Sequence, residues 1–326
     1  MAEINMIQAL NLAMREALAR DDSVVLLGQD IGVDGGIFRA TMGLIEDFGE
    51  DRVIDTPLAE AGILGMSVGM ALNGLRPVAE LQFSGFSYQG FHQMENHAAR
   101  FRWRTQGRFP VPMVARMPYG AGVRALEHHS ESRETYYAHT PGLKTVIPSG
   151  PRTARALLAA AIRDADPVVF YEPKALYRAF KEEVPDEAET LPLDKAEVVR
   201  EGSDITLIAY GAMLPRAMEA ARRLEEAEGV SAEVIDLRSI APLDEATLTA
   251  SARKTGRVVV VHEAARHLGP GAEISARLSD TVFFHLEAPV KRVAGYDMHP
   301  PYFAREQLYL PSPERIFDEA LDTLKT

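Results

Sequence analysis

Short apolar runs alternate with segments of helical period along this chain of 326 residues, and few architectures accommodate that alternation. In the first half the runs are "SVVLLGQD", "RPVAELQF", "PVPMVARM", "GLKTVIPS" and "DPVVFYEP"; in the second, "DITLIAYG", "VSAEVIDLR", "GRVVVVHEA" and "VKRVAGYD". Runs of this length, apolar throughout, read as strands buried on both faces, the pattern of parallel sheets. Helical spacing fills the intervals over 5–20, 151–163, 214–228, 244–254 and 271–281, and again from Pro313. Alternating strands and helices predict two open, mainly parallel, doubly wound α/β domains. Between them "KEEVPDEAETLPLDKAEVVREGSD" is charged and carries two prolines, so it reads as a linker or exposed arm. The expected division is a first domain over 1–180, a charged linker over 181–200 and a second domain over 201–326.

Composition narrows the function classes. A hydrophobic fraction of 46% supplies two cores, and a formal net charge of −12 argues against a protein that wraps a phosphate backbone. With no cysteine, disulfides, thiolate metal sites and thiol nucleophiles are excluded. The N-terminal "MAEINMIQALNLAMREALARDD" lacks the basic start and apolar run of a signal peptide, and no run is long and uncharged enough to span a bilayer. The expectation is a cytoplasmic protein that binds neither nucleic acid nor membrane.

Several apparent motifs dissolve under geometry. "HEAARH" places His262 and His267 five residues apart, about 140° around a helix, where a zinc-binding helix needs a spacing of four. His92 and His97 share that spacing. "YGAGV" lacks the strand–loop–helix context of a phosphate cradle, and no strand is followed by a dinucleotide fingerprint.

One stretch does carry chemistry: "DTPLAEAGILGMSVGMALNG", Asp55 to Gly74. Asp55, Thr56 and Pro57 read as a helix start, and Asn73-Gly74 as its stop. Gly62, Gly65 and Gly69 fall three and four apart on one face, a cost in helix propensity that implies close approach there. Glu60 is the only acid in this apolar helix. A first-turn carboxylate complements the helix dipole, but here it stands at fixed spacing from the glycine face.

That spacing — Glu, four residues, Gly, an apolar residue, two residues, Gly, an apolar residue — resembles the pyrimidine-domain signature of thiamine diphosphate enzymes. Further segments extend the likeness over nearly the whole chain: "GQDIG", "HHSES", "PGLKTVIPS", "AAIRDADPVVFYEP", "ITLIAYGAM", "AEVIDLRSIAPLD" and "KTGRVVVVHEA". Together they resemble the beta subunit of 2-oxo acid dehydrogenases, the thiamine-dependent decarboxylating component of the pyruvate and branched-chain complexes.

The resemblance implies roles for particular residues. Glu60 would meet the aminopyrimidine ring of thiamine diphosphate and share a proton with its nitrogen, so that the exocyclic amine can take the thiazolium proton. Phe86 would stack on that ring, with Gln82, Leu58 and Gln29 bordering the cofactor and Phe83 the substrate. Gln29 stands where the family commonly has glutamate in a polar tunnel between paired sites; it hydrogen-bonds but does not titrate. His129, with His128 beside it, would assist transfer of the acyl group to lipoamide. Main-chain oxygens around Met113, Ala161, Ile162, Asp164 and Asp166 match a potassium loop of some relatives, with Asp166 replacing a frequent asparagine.

The magnesium–diphosphate motif of thiamine enzymes, Gly-Asp-Gly followed by Asn, is missing. The resemblance therefore implies half an enzyme. An alpha subunit would hold Mg2+ and diphosphate in an α2β2 assembly, and the second domain would serve dimerisation and docking of the dihydrolipoamide acyltransferase core, whose lipoyl domain takes the acyl group. "ELQFSGFSYQGFHQ" and "IAYGAM" lean toward pyruvate over a branched-chain 2-oxo acid. Competing readings are an acetoin dehydrogenase beta subunit, a split transketolase, a deoxyxylulose phosphate synthase fragment, and a non-catalytic regulatory or scaffold subunit of the same fold.

Overall fold

The apolar runs are strands, and each block forms its own sheet. A computed structural model describes residues 2–326 and divides them into two units. The first contains everything up to Tyr119 together with Tyr136–Leu193; the second contains Gly120–Thr135 and Asp194–Thr326.

In the first unit the chain order is β1 (Ala2–Ile4), α1 (Met6–Arg20), β2 (Val24–Gly28), α2 (Leu44–Phe48), β3 (Val53–Asp55), α3 (Glu60–Leu72) and β4 (Arg76–Glu80). A 3-10 segment (Ser84–Gly90), a π-helical turn (Gln93–Ala98) and α4 (Ala99–Arg104) precede β5 (Val114–Tyr119). After α5 (Glu134–Ala138) come β6 (Lys144–Val146), α6 (Pro151–Arg163), β7 (Val168–Pro173) and β8 (Glu182–Val184). Six strands pair in parallel in the order β6-β7-β5-β4-β2-β3. β3 lies on one side of β2 and β4 on the other, so the order reverses between β2 and β4. Open α/β sheets bind ligands at the carboxyl ends of strands at such a reversal.

Local chemistry sets the helices. Asn5 and Gln8 exchange bonds in a capping box at 3.0 Å each way, which stabilises the start of α1 by about 1 kcal/mol. Met6, Leu10, Ala13, Met14 and Leu18 then bury one stripe of α1, which packs on α6. Arg155 of α6 donates to Glu16 of α1 at 2.5 Å and to the carbonyls of Pro185 and Asp186. The segment expected as a linker is therefore built in at both ends. Glu182–Val184 pairs antiparallel with β1, Glu182 Oε2 accepts from the Arg152 N–H at 3.0 Å, and Glu197–Arg200 pairs with Ala232–Asp236 at the other end.

The second unit contains β9 (Glu197–Arg200), β10 (Ile205–Ala209), α7 (Met213–Glu228), β11 (Ala232–Asp236), the short β12 (Ser239–Ala241) and α8 (Glu245–Thr255). It continues with β13 (Val258–Ala265), α9 (Pro270–Val282), β14 (Lys291–Gly295), α10 (Glu306–Tyr309) and α11 (Pro313–Lys325). Its sheet runs β14-β13-β10-β11-β9, parallel except for the edge strand β9. The segment 120–135, which chain order assigns to the first domain, packs with this second unit. No helix among the described residues is long and apolar enough to cross a membrane.

His262 on β13 is completely buried, with Nδ1 donating to the Ala264 carbonyl at 3.0 Å. Burial lowers its pKa to about 4, from the ordinary 6.5. Between those values the unfolded chain takes a proton that the folded one refuses. The contribution of the neutral histidine to stability is therefore present above pH 6.5 and is lost as pH falls toward 4. Between pH 7 and pH 5 the histidine should account for a loss of about 2 kcal/mol. Denaturant titrations of wild type and His262→Gln at both pH values check this; equal pH slopes would contradict it.

Candidate active site

The carboxyl ends of β2 and β4 define the crevice, and the sequence beyond each strand furnishes it. After β2 the loop over 29–36 is latched by Asp55, whose Oδ1 accepts from the Gly32 N–H at 2.6 Å and Oδ2 from the Val33 N–H at 3.1 Å. Thr41 Oγ1 donates to the Ile31 carbonyl at 2.6 Å, and Gln82 Nε2 to Asp30 Oδ2 at 2.9 Å. Half-buried Gln29 is thus held between a paired strand end and a latched loop, and Gln82 is tied to that same loop.

This latch corrects the reading of Asp55 as a helix start. The helix begins at Glu60, behind Ala59 and without any side-chain cap. Pro57 lies outside it, because Asp55 is spent on the neighbouring loop. Leu58, expected to border the cofactor, is 68% exposed.

Glu60 in the first turn of α3 is buried, and its Oε2 has no hydrogen-bond partner. The 3-10 segment after β4 presses on this turn. At Gly90 an added Cβ would lie 2.5 Å from Leu64 Cδ1 and 3.0 Å from the Glu60 carbonyl oxygen, so only glycine permits the approach. Phe86 in that segment is half-buried and meets buried Phe83 edge-on, with centroids 5.7 Å apart at 86°. Phe83 is itself braced by Phe38 at 5.6 Å, and the Lys174 ammonium lies 5.8 Å from its ring centroid. Beyond Gly90 the chain continues into a π-turn, a wide geometry frequent at functional sites. Along α3, Gly62, Met66 and Gly69 are exposed, leaving the glycine face open.

A buried ionic group lies beneath this crevice that the sequence reading did not single out. Glu80 ends β4, Arg116 lies in β5 and Glu172 in β7, all almost fully buried. The Arg116 guanidinium pairs with Glu172 through Nε at 2.7 Å and Nη2 at 2.8 Å, and with Glu80 through Nη1. Tyr177 donates to Glu172 at 2.5 Å. Burial pushes the Glu80 carboxyl up against the pull of Arg116, while Glu172 and Glu80 outweigh desolvation to hold Arg116 charged. The available signal was one charge near the end of each of three adjacent apolar strands.

The two histidines part ways. Glu127–His129 form a 3-10 turn in which the His129 N–H donates to the Leu126 carbonyl at 3.0 Å, and Ser130 Oγ to the same carbonyl at 2.9 Å. His128 is exposed, whereas His129 is half-buried with Nδ1 shielded from solvent. Their rings are 6.3 Å apart. The two expected catalytic residues belong to different units, Glu60 to the first and His129 to the second.

Four of the five main-chain oxygens expected to hold potassium accept hydrogen bonds. Arg76 Nη1 donates to the carbonyls of Ile162 and Asp164, each at 3.0 Å; Met113 O accepts from Val168 at 2.9 Å and Ala161 O from Asp164 at 3.2 Å. Asp164 and Asp166 pair through their side chains with Lys144 and Arg102. A monovalent cation would have to use second lone pairs beside a guanidinium. Among the described residues no group of three or more His, Asp or Glu side chains is placed to hold a metal ion.

Comparison with known proteins agrees with this architecture. Residues 2–179 match the transketolase pyrimidine-binding domain and residues 194–316 the transketolase C-terminal domain. A solved "split gene transketolase, inactive beta4 tetramer" superposes with a TM-score of 0.81 over 99% of both chains at 22% identity, a likeness of fold. The chain therefore belongs to the transketolase-like family of thiamine diphosphate-dependent proteins. Within it, the chain falls among the beta subunits of the 2-oxo acid dehydrogenase component. It is 50% identical to the pyruvate dehydrogenase E1 component subunit beta of Acholeplasma laidlawii, over 97% of this chain and 96% of that one. It is 48% identical over the full length of both chains to the protein of that name from Bacillus subtilis strain 168.

The ionic group gives a direct test of the crevice floor. Arg116→Met would leave Glu80 and Glu172 buried without their cation, and should lower the unfolding free energy by about 3–5 kcal/mol. Adding Glu80→Gln and Glu172→Gln should recover part of that loss. Denaturant unfolding measures both, and a loss below about 1 kcal/mol for Arg116→Met would show that the group does not brace the strand ends.

Proposed function

We propose that this chain is the catalytic beta subunit of a pyruvate-decarboxylating 2-oxo acid dehydrogenase, active in an α2β2 assembly with an alpha subunit that binds Mg2+ and diphosphate. The observation that carries the reading is Glu60 Oε2, buried and unpartnered in a pyrimidine-binding domain. A buried carboxyl oxygen without a partner suits a ring nitrogen brought in by a cofactor, and the half-buried face of Phe86 suits a flat heteroaromatic. The residues fit thiamine diphosphate, which when bound supplies a nucleophilic carbon and an electron sink for decarboxylation.

This chain's residues divide the remaining work. Glu60 holds a proton at Oε2 for the aminopyrimidine nitrogen. Phe86 orients the ring, and Gln29 and Gln82 supply amide contacts at its border. Phe83, braced from two sides, shapes the apolar wall facing the substrate. His129 moves a proton through its imidazole as the acyl group passes to the lipoyl domain of the acyltransferase core, and exposed His128 flanks the approach. Pyruvate is favoured because the relatives at about half identity carry that name. A cytoplasmic location belongs to the same reading.

The experiment combines the chain with its cognate alpha subunit and runs two assays: decarboxylation with an artificial electron acceptor, and reductive acylation of a lipoyl domain. Both activities should appear only in the mixture. His129→Ala should reduce lipoyl acylation by about a hundredfold or more while decarboxylation falls far less, and His128→Ala should do little. Activity of this chain alone would overturn the half-enzyme reading. Equal losses in both assays would overturn the role of His129.

A further inference from the structure

The segment that carries His129 has no regular structure of its own beyond one 3-10 turn, yet its backbone has defined partners. Gly120 N–H donates to the Glu131 carbonyl at 3.1 Å, closing the neck of a compact loop over 120–131. Just inside the neck, the Ala121 N–H donates to Glu263 Oε2 at 3.0 Å. Glu263 belongs to β13 and is 1% exposed. Gly120 has φ +83°, and an added Cβ there would lie 2.5 Å from Glu263 Oε1, so the carboxylate is packed directly on the loop backbone. Further along, the Arg124 N–H is shared between both oxygens of Glu306, at 3.2 and 3.1 Å. Glu306, the first residue of α10, is also 1% exposed. Arg124 has φ +57°, a conformation that non-glycine residues adopt only where the surroundings hold them. Beyond the neck, Tyr210 donates to buried Glu134 at 2.6 Å, fixing the far end of the segment.

Two nearly inaccessible carboxylates are thus directed onto two main-chain amides of one irregular loop, five and eight residues before His129. Bonds from N–H to carboxylate are among the stronger ones available to a backbone, and a loop lacking a ladder depends on such acceptors. We propose that Glu263 and Glu306 are positioning residues for His129: they fix the 120–131 loop so that the imidazole is presented to the incoming lipoyl group. The second domain would then take part in acyl transfer through its own side chains, beyond dimerisation and docking. This rests on the role of His129 given above.

The test uses Glu263→Gln and Glu306→Gln in the complete alpha–beta assembly, each compared with His129→Ala. Amide exchange read by mass spectrometry over 120–131 reports the anchoring independently of catalysis. Exchange there should accelerate at least tenfold in both variants, with peptides from β10 and β11 unchanged. Lipoyl acylation should fall about tenfold in kcat, with little change in KM for the lipoyl domain, while decarboxylation with an artificial acceptor falls at most twofold. Unchanged exchange in both variants would overturn the anchoring. Faster exchange with undiminished acylation would overturn the positioning role. If His129→Ala spares acylation, the role of His129 fails and the positioning claim falls with it, while the exchange data still decide whether the carboxylates hold the loop. Should one variant fail to assemble, the other decides, because Glu263 and Glu306 engage separate amides.

Discussion

The crevice of the first unit is built around one unpaired oxygen, Oε2 of Glu60, on which the proposed function depends. A buried polar atom without a partner costs about 1–3 kcal/mol, and at the mouth of a crevice a ligand from outside can recover that cost. The surroundings leave this oxygen no easy escape. Helix α3 starts at Glu60 itself, without a side-chain cap, and Gly90 lets the 3-10 segment press on the same turn. The strand order reverses beside it, opening the sheet where Gln29 and Gln82 emerge. The aromatic pair Phe83–Phe86 walls the crevice, and the salt-bridged Arg116 stiffens the strand ends beneath.

Carboxylates do three different jobs in this acidic chain. Glu60 is buried with one oxygen unpaired, which is what the proposed cofactor contact requires. Glu80 and Glu172 share one guanidinium, which ties three strands together. Glu263 and Glu306 receive main-chain amides and give shape to a segment that lacks a ladder. The difference lies in the partner each has: none within the chain for Glu60 Oε2, a side chain for Glu80 and Glu172, a backbone for Glu263 and Glu306. A net charge of −12 thus reflects internal construction as well as surface.

The strands and long helices were legible because burial on both faces leaves an unmistakable apolar run, as in "VVLLG" and "VVVVHEA". Glu60 was legible because its helix is otherwise apolar. Where the reading failed, a long-range partner had captured a residue whose local meaning was different. Asp55 looks like a helix cap until it meets the Gly32 and Val33 amides. The charged stretch after Lys181 looks like a tether until β1 pairs with it and Arg155 binds its carbonyls. The His128–His129 segment follows β5 in sequence, yet its amides find acceptors in the second unit. Arg116 was hidden because its two acids lie 36 and 56 residues away.

The claim on which the account turns is that Glu60 activates the cofactor by holding a proton at the aminopyrimidine nitrogen. Hydrogen–deuterium exchange at the thiazolium carbon, measured by NMR on thiamine diphosphate bound to the assembled enzyme, reads that step without any substrate. In Glu60→Gln, which keeps the volume and the helix, the exchange rate should fall by about a hundredfold or more while assembly and cofactor occupancy persist. Exchange close to the wild-type rate, with the cofactor bound, would contradict it.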